Sequence, residues 1–245
     1  MNDLAFCNLR IYPDCRTACE EAALYLTHFA AETVTRNGRC RLAVSGGTTP
    51  WPMLAAFFRS DLPWSCIDLF QTDERMVPEN SPERNASHLI PLIPPGIRFH
   101  PMPNDCTNST LEQAKAYEKV LEFFCGTPPV LDLVHLGLGT DGHTASLTPG
   151  DPVLDCMDLG VSPTRPYHGQ SRLTLTVRTL RAAQTRLWLA CGHDKHQALI
   201  RCLKRDPNIP ATLVYQPSDL FWCDRPAAGS VGDTDATGSK LPLGP

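Results

Sequence analysis

The sequence predicts an α/β fold: a three-layer, Rossmann-like arrangement in which a mainly parallel sheet carries helices on both faces. Three observations predict it. Short apolar runs alternate with segments of helical periodicity, polar glycine-rich loops follow several of those runs, and the composition is that of an ordinary globular chain. Of 245 residues, 42% are hydrophobic and 20% charged, which excludes a disordered or fibrous chain. Residues 1–228 read as a single domain. Residues 229–245, rich in Gly, Ser, Thr, Asp and Pro, read as a flexible tail.

The elements follow in order. From about Asp14 to Arg36, apolar Ala18, Ala22, Leu26, Phe29, Ala30 and Val34 recur at helical spacing, and Asn37-Gly38 supplies a stop. Arg41 to Val44 is a strand. Ser45-Gly46-Gly47-Thr48-Thr49-Pro50 breaks it, and helical patterning resumes over Met53 to Phe58. A second strand, Ile67 to Phe70, runs into Gln71-Thr72-Asp73-Glu74-Arg75. Leu111 to Phe124 is a helix with Ala114, Tyr117, Val120 and Leu121 on one face, and Leu131 to Leu136 is a third strand entering a loop from Gly137 to Gly150. Two more strands, Leu173 to Val177 and Arg186 to Cys191, precede a helix from Asp194 to Lys204. Asp151 to Gly169 reads as a long surface connection. In such a sheet, loops at the carboxyl ends of the strands form the ligand crevice.

Net charge is −4, so no global field gathers nucleic acid. The eleven cysteines are an odd number, and no two stand at zinc-knuckle or redox-motif spacing, which suits a reducing compartment. The first ten residues do not resemble a secretory signal and no apolar run is long enough to span a bilayer. The expectation is a cytoplasmic protein without nucleic-acid or membrane partners, and nothing in the pattern fixes an oligomeric state.

Three loops carry chemistry. A glycine turn between strand and helix lets backbone N–H groups converge on an anion at the positive end of a helix dipole, with hydroxyls of Ser45, Thr48 and Thr49 as added donors. The same hexapeptide is equally readable as an ordinary βα turn. Asp73-Glu74-Arg75 sets a carboxylate and a guanidinium at the mouth of a strand, although a solvated charge cluster looks the same in sequence. In Gly137-Leu138-Gly139-Thr140-Asp141-Gly142-His143-Thr144-Ala145-Ser146, glycines admit a substrate to the backbone, and His143 beside Asp141 suits proton transfer near neutral pH. His193 and His196 stand three apart on a helix, but no further ligands complete a metal site.

Together these loops resemble the family that contains 6-phosphogluconolactonase and glucosamine-6-phosphate deaminase. The resemblance runs from the glycine turn through Asp73-Glu74-Arg75-Met76-Val77-Pro78 and Asp141-Gly142-His143-Thr144-Ala145-Ser146-Leu147 to Asp224 and Ala227. It implies hydrolysis of 6-phospho-D-glucono-1,5-lactone to 6-phospho-D-gluconate by water activated at His143, with Asp141, Asp73 and Arg75 assisting. It further implies a phosphate site at Ser45, Gly46, Gly47, Thr48 and Thr49 with Arg172 and Lys195, and no metal or organic cofactor. Thr48 stands where serine is frequent, Arg84 where lactonases commonly have serine, and Thr148 where they have phenylalanine. The deaminases' loop carries glutamate at the Thr148 position. Deaminase or isomerase activity, and a sugar-phosphate sensor without catalysis, are the alternatives.

Overall fold

The computed structural model describes residues 8–104 and 108–229. The tail expected at 229–245 therefore lies outside the described residues beyond Gly229. In chain order the elements are β1 (Leu9–Tyr12), α1 (Cys15–Asn37), β2 (Cys40–Val44), α2 (Pro50–Phe57), β3 (Ile67–Gln71), β4 (Asp73–Arg75), α3 (Asn85–Leu89), β5 (Arg98–His100), α4 (Thr110–Cys125) and β6 (Leu133–Gly137). They continue with β7 (Val161–Pro163), β8 (Arg172–Leu175), α5 (Val177–Ala182), β9 (Thr185–Ala190), α6 (His196–Leu203), α7 (Pro210–Val214), β10 (Leu220–Asp224) and α8 (Arg225–Ala228).

Seven strands pair in the order β1-β10-β9-β6-β2-β3-β5, and every pairing is parallel. Neighbouring residues of each strand face opposite sides, as strand geometry requires. Leu42, Leu69, Leu133, Leu187 and Trp222 join Leu26 of α1 and Phe57 of α2 in one core layer. Their chain neighbours Ala43, Phe70, Val134, Trp188 and Phe221 join Tyr117 of α4, Leu199 of α6 and Val214 of α7 in the other. Both faces of the sheet are thus buried under helices, the arrangement that the alternating sequence predicts. Helix ends obey local chemistry. Asp14 caps α1 by accepting from the Thr17 amide at 2.8 Å, Gly38 closes it at φ 73°, and Ser109 with Glu112 forms a capping box on α4.

One strand departs from the expectation. Residues from Arg172 to Leu175 leave the parallel sheet and form a small antiparallel one, in the order β4-β8-β7. Its partner β4 is the Asp73-Glu74-Arg75 segment, which the sequence places in a loop. The chain turns out of β3 at Thr72, whose amide still reaches the Val44 carbonyl at 3.1 Å while its carbonyl accepts from the Leu175 amide at 2.8 Å. Thr72 is therefore the hinge between the two sheets, and the small sheet stands over the carboxyl ends of β2 and β3.

Candidate active site

The glycine turn joins β2 to α2, and Gly47 adopts φ 126°, a conformation that side-chain-bearing residues rarely take. Gly46 is required by packing: a Cβ there would lie 2.1 Å from Asn85 Oδ1. Thr48 is exposed and Thr49 half-buried. Ser45 differs from its sequence-based role, because its buried hydroxyl shares a 2.8 Å hydrogen bond with that of Thr72 and donates to the His135 carbonyl at 3.1 Å. That hydroxyl is committed to the fold rather than turned toward a ligand.

Strand alternation divides the Asp73-Glu74-Arg75 segment. Glu74 points into the protein and is fully buried. Its Oε1 accepts from the amides of Arg75 and Asn85 at 2.8 and 2.7 Å, and its Oε2 accepts from Gln71 Nε2 and the Ala86 amide, both at 2.8 Å. Arg84, which departs from the lactonase pattern, packs against the same carboxylate with Nε 3.7 Å from Oε2. Asp73 and Arg75 share the opposite face. Asp73 Oδ2 accepts from Ser146 Oγ at 2.6 Å and Oδ1 from Thr72 Oγ1 at 3.1 Å.

Arg172 stands directly across the antiparallel register from Arg75, so the two guanidinium groups share a face. Arg172 is buried, lies 5.3 Å from the centre of the Tyr167 ring, and donates from Nη1 to Ser146 Oγ at 3.4 Å. Burial lowers its pKa from the ordinary arginine value; Asp73 opposes that shift and the Arg75 charge adds to it. An arginine so perturbed remains a cation. Lys195 takes no part in this network. It follows β9 in a 3-10 turn with Nζ 3.1 Å from Asp194 Oδ2.

The loop after β6 is held by its own backbone. The Gly139 amide donates to the His143 carbonyl at 2.8 Å, the Gly142 amide to the Gly139 carbonyl at 3.0 Å, and the Ala211 amide to the Gly142 carbonyl at 2.9 Å. His143 Nδ1 lies 2.6 Å from Asp141 Oδ1, which also accepts from the His143 amide at 3.1 Å. Tyr167 donates its hydroxyl to Asp141 Oδ2 at 3.1 Å. Burial disfavours the Asp141 carboxylate, but the hydrogen bonds and charge of His143, joined by Tyr167, outweigh it and hold the pKa well below the usual carboxylate range. An ionised Asp141 accepts a hydrogen bond from Nδ1–H and leaves Nε2 as the basic nitrogen. His193 and His196 do stack, with ring centres 6.1 Å apart, but His196 Nδ1 is engaged by the Ala227 carbonyl at 2.9 Å.

Tyr167, Ser146, Thr72, Asn85 and Glu74 are the site residues that the sequence does not single out. Ser146 is the pivotal one, since its hydroxyl links Asp73 to Arg172 and its amide donates to Thr174 Oγ1 at 3.2 Å.

A parallel sheet with a glycine turn and an Asp–His pair in loops at the carboxyl ends of its strands, and two adjacent guanidinium groups on a small antiparallel sheet, defines an α/β protein of the kind that carries its polar groups at the strand ends. The chain belongs to the glucosamine-6-phosphate isomerases/6-phosphogluconolactonase family, whose model matches residues 13–222. It is 34% identical over 215 residues to the 6-phosphogluconolactonase of Synechocystis sp., covering 83% of this chain and 89% of that one. The Nostoc sp. 6-phosphogluconolactonase is 30% identical over 234 residues, covering 91% and 97%. In fold it resembles the 6-phosphogluconolactonase from Trypanosoma cruzi with a TM-score of 0.83 at 24% identity, over 92% of this chain and 97% of that one.

Proposed function

We propose that this chain is a lactone hydrolase that converts 6-phospho-D-glucono-1,5-lactone to 6-phospho-D-gluconate in the oxidative pentose phosphate pathway, using water activated by His143. The observation that carries the mechanism is the 2.6 Å contact between Asp141 Oδ1 and His143 Nδ1. With Nδ1–H donated to an ionised carboxylate, Nε2 takes a proton from water as it attacks the ring carbonyl, then returns it to the ring oxygen as the ester bond breaks. Asp141 orients the ring and stabilises the imidazolium without itself taking the proton.

The phosphate is held by the glycine-turn backbone with Arg172 and Lys195, and Arg75 beside Arg172 strengthens the positive field. Asp73 faces the sugar hydroxyls. Neither a covalent nucleophile nor a metal is needed, because a lactone is an activated ester and oriented water suffices. Thr148 at the deaminases' glutamate position leaves out one member of their acid/base set, which favours the lactonase reading. A cytoplasmic setting agrees with the nine cysteines that stand free among the described residues.

The test is a coupled assay on freshly generated lactone, corrected for spontaneous hydrolysis. His143→Asn lowers turnover by roughly 100-fold or more while product binding survives. Near-wild-type turnover in a folded His143→Asn protein would falsify the mechanism.

A further inference from the structure

Behind the glycine turn, four side chains that the proposed chemistry leaves unused converge from distant parts of the chain. Cys15 opens α1, Cys19 stands one turn along it, Cys191 directly follows β9, and Asp224 ends β10. Sγ of Cys15, Sγ of Cys191 and a carboxylate oxygen of Asp224 all lie within 4.8 Å of one another. Cys19 Sγ is 3.9 Å from Cys15 Sγ. Cys19, Cys191 and Asp224 are buried, and half-buried Cys15 gives the cluster access to solvent.

We propose that Cys15, Cys19, Cys191 and Asp224 form a binding site for one zinc-class divalent cation, structural rather than catalytic and independent of the lactonase reading. The donor chemistry selects the ion: three thiolates and one carboxylate suit zinc, whereas magnesium and calcium prefer sites made wholly of oxygen. The dimensions agree. Tetrahedral geometry with Zn–S bonds of about 2.3 Å sets two sulfurs about 3.8 Å apart, against 3.9 Å between Cys15 and Cys19. Cys15, Cys191 and Asp224 offer ligand atoms within 4.8 Å of one another, and Cys19 joins them beside Cys15.

The carboxylate is already oriented. The Gly192 amide donates to Oδ1 and Oδ2 of Asp224 at 3.0 and 3.1 Å, and the Ala227 amide donates to Oδ1 at 2.9 Å. Such outer contacts fix a ligating group, and Oδ2, with the single shared contact, keeps lone-pair capacity for an ion. An ion here ties the start of α1 to the ends of β9 and β10. It also engages the thiol that now donates to the Thr49 carbonyl at 3.4 Å, at the back of the glycine turn. Sequence spacing conceals the site because only Cys15 and Cys19 are near neighbours in the chain.

The test uses the full chain, reduced and stripped with chelator. Titrated with Co²⁺, it should bind one ion per chain with a sulfur-to-cobalt charge-transfer band, and Zn²⁺ should displace it. One equivalent of Zn²⁺ should slow alkylation of Cys15, followed by peptide mass spectrometry, by roughly tenfold or more, and leave Cys66 unaffected. Cys191→Ser and Asp224→Asn should weaken Zn²⁺ binding by at least the roughly 10–100-fold that loss of an outer contact costs, and Cys66→Ser should not. Absence of the cobalt–thiolate band, equal Cys15 alkylation with and without Zn²⁺ in the unmutated protein, or undiminished affinity in Cys191→Ser would each overturn the proposal.

Discussion

Gly139→Ala tests whether the proposed base works only when held against Asp141. Gly139 has no side chain, and a Cβ built on it would lie 2.1 Å from His143 Nδ1, 2.3 Å from Cε1 and 2.7 Å from Cγ. Ordinary contact begins near 3.5 Å, so the imidazole must retreat by roughly 1.4 Å. The 2.6 Å contact with Asp141 cannot survive that displacement. The backbone is not the obstacle, because Gly139 lies outside the positive-φ region where alanine is strained. His143, whose side chain is 28% exposed, has room to swing outward, so the fold should persist with a loss of about 1 kcal/mol or less. Misplacing a reacting group by this much lowers turnover by about 100-fold. In the coupled lactone assay kcat should fall while KM stays within about threefold, since the phosphate contacts are elsewhere. Adding Gly139→Ala to His143→Asn should cost nothing further, because both changes act through one imidazole. Near-wild-type activity in Gly139→Ala, or losses that multiply in the double variant, would refute the reasoning.

Arg172→Ala should weaken binding of the phosphorylated product by about 1.5–3 kcal/mol, one to two decades, measured by calorimetric titration. Lys195→Ala should weaken it less, because Asp194 already engages that ammonium at 3.1 Å; equal and negligible losses would remove both from the phosphate site. Glu74→Gln should destabilise the protein by about 3 kcal/mol in urea, since one carboxylate oxygen becomes an NH₂ donor facing two of the four N–H groups that converge there. His135 is fully buried with both ring nitrogens unpartnered among the described residues, and burial pushes its pKa down to about 3. The unfolded chain therefore binds the extra proton first: the contribution is whole above about pH 6.5 and is lost as pH falls toward 3, by up to about 1.4 kcal/mol per pH unit. His135→Leu should flatten the stability profile in that window by one proton, and an unchanged slope would show that the imidazole is not the group responsible.

The helices and inner strands were legible because their signals are local. The periodicity of α1 ends at Asn37-Gly38 as the stop signal predicts, and the runs that become β2, β3, β6 and β9 are short, apolar and bounded by turn residues. Leu9–Tyr12 at the sheet edge and Leu220–Asp224 beside it carry no such signal, because each is a brief run whose strand identity depends on pairing between opposite ends of the chain. The run Leu173 to Val177 reads as a strand and forms one over Arg172–Leu175, with Val177 opening α5 instead, but an apolar run carries no information on direction, and its partner is the polar segment Asp73–Arg75. The same division holds at the site. The Asp141–His143 pair is two residues apart and readable as a motif. Ser146 meets Asp73 across 73 positions and Tyr167 meets Asp141 across 26, and neither approach leaves a mark in sequence. Tyr167 was hidden further by lying in a Pro- and Gly-punctuated connection that reads as surface.

The small antiparallel sheet also explains how the proposed anchor and the proposed base come to share one frame. A phosphate contact on a strand and a base on a loop normally move independently, since loops are the more mobile parts of a fold. Here the loop after β6 is pinned to β8 twice, by the Ser146 amide on Thr174 Oγ1 and by Arg172 Nη1 on Ser146 Oγ. Ser146 also grips Asp73 on β4, and Thr72 continues the hydroxyl chain to Ser45 at the glycine turn. Tyr167 closes the other side by standing over the Arg172 guanidinium while donating to Asp141. Two routes therefore leave the Arg172 guanidinium, one of hydroxyls through Ser146 and Thr72 to the glycine turn and one through the Tyr167 ring to the proposed Asp141–His143 pair. The inward turn of Ser45, which removes a hydroxyl from the list of phosphate donors, is what connects the glycine turn to the first of them. Positioning of substrate relative to base to within a fraction of an ångström requires such shared supports, because each group alone has too few contacts to be fixed.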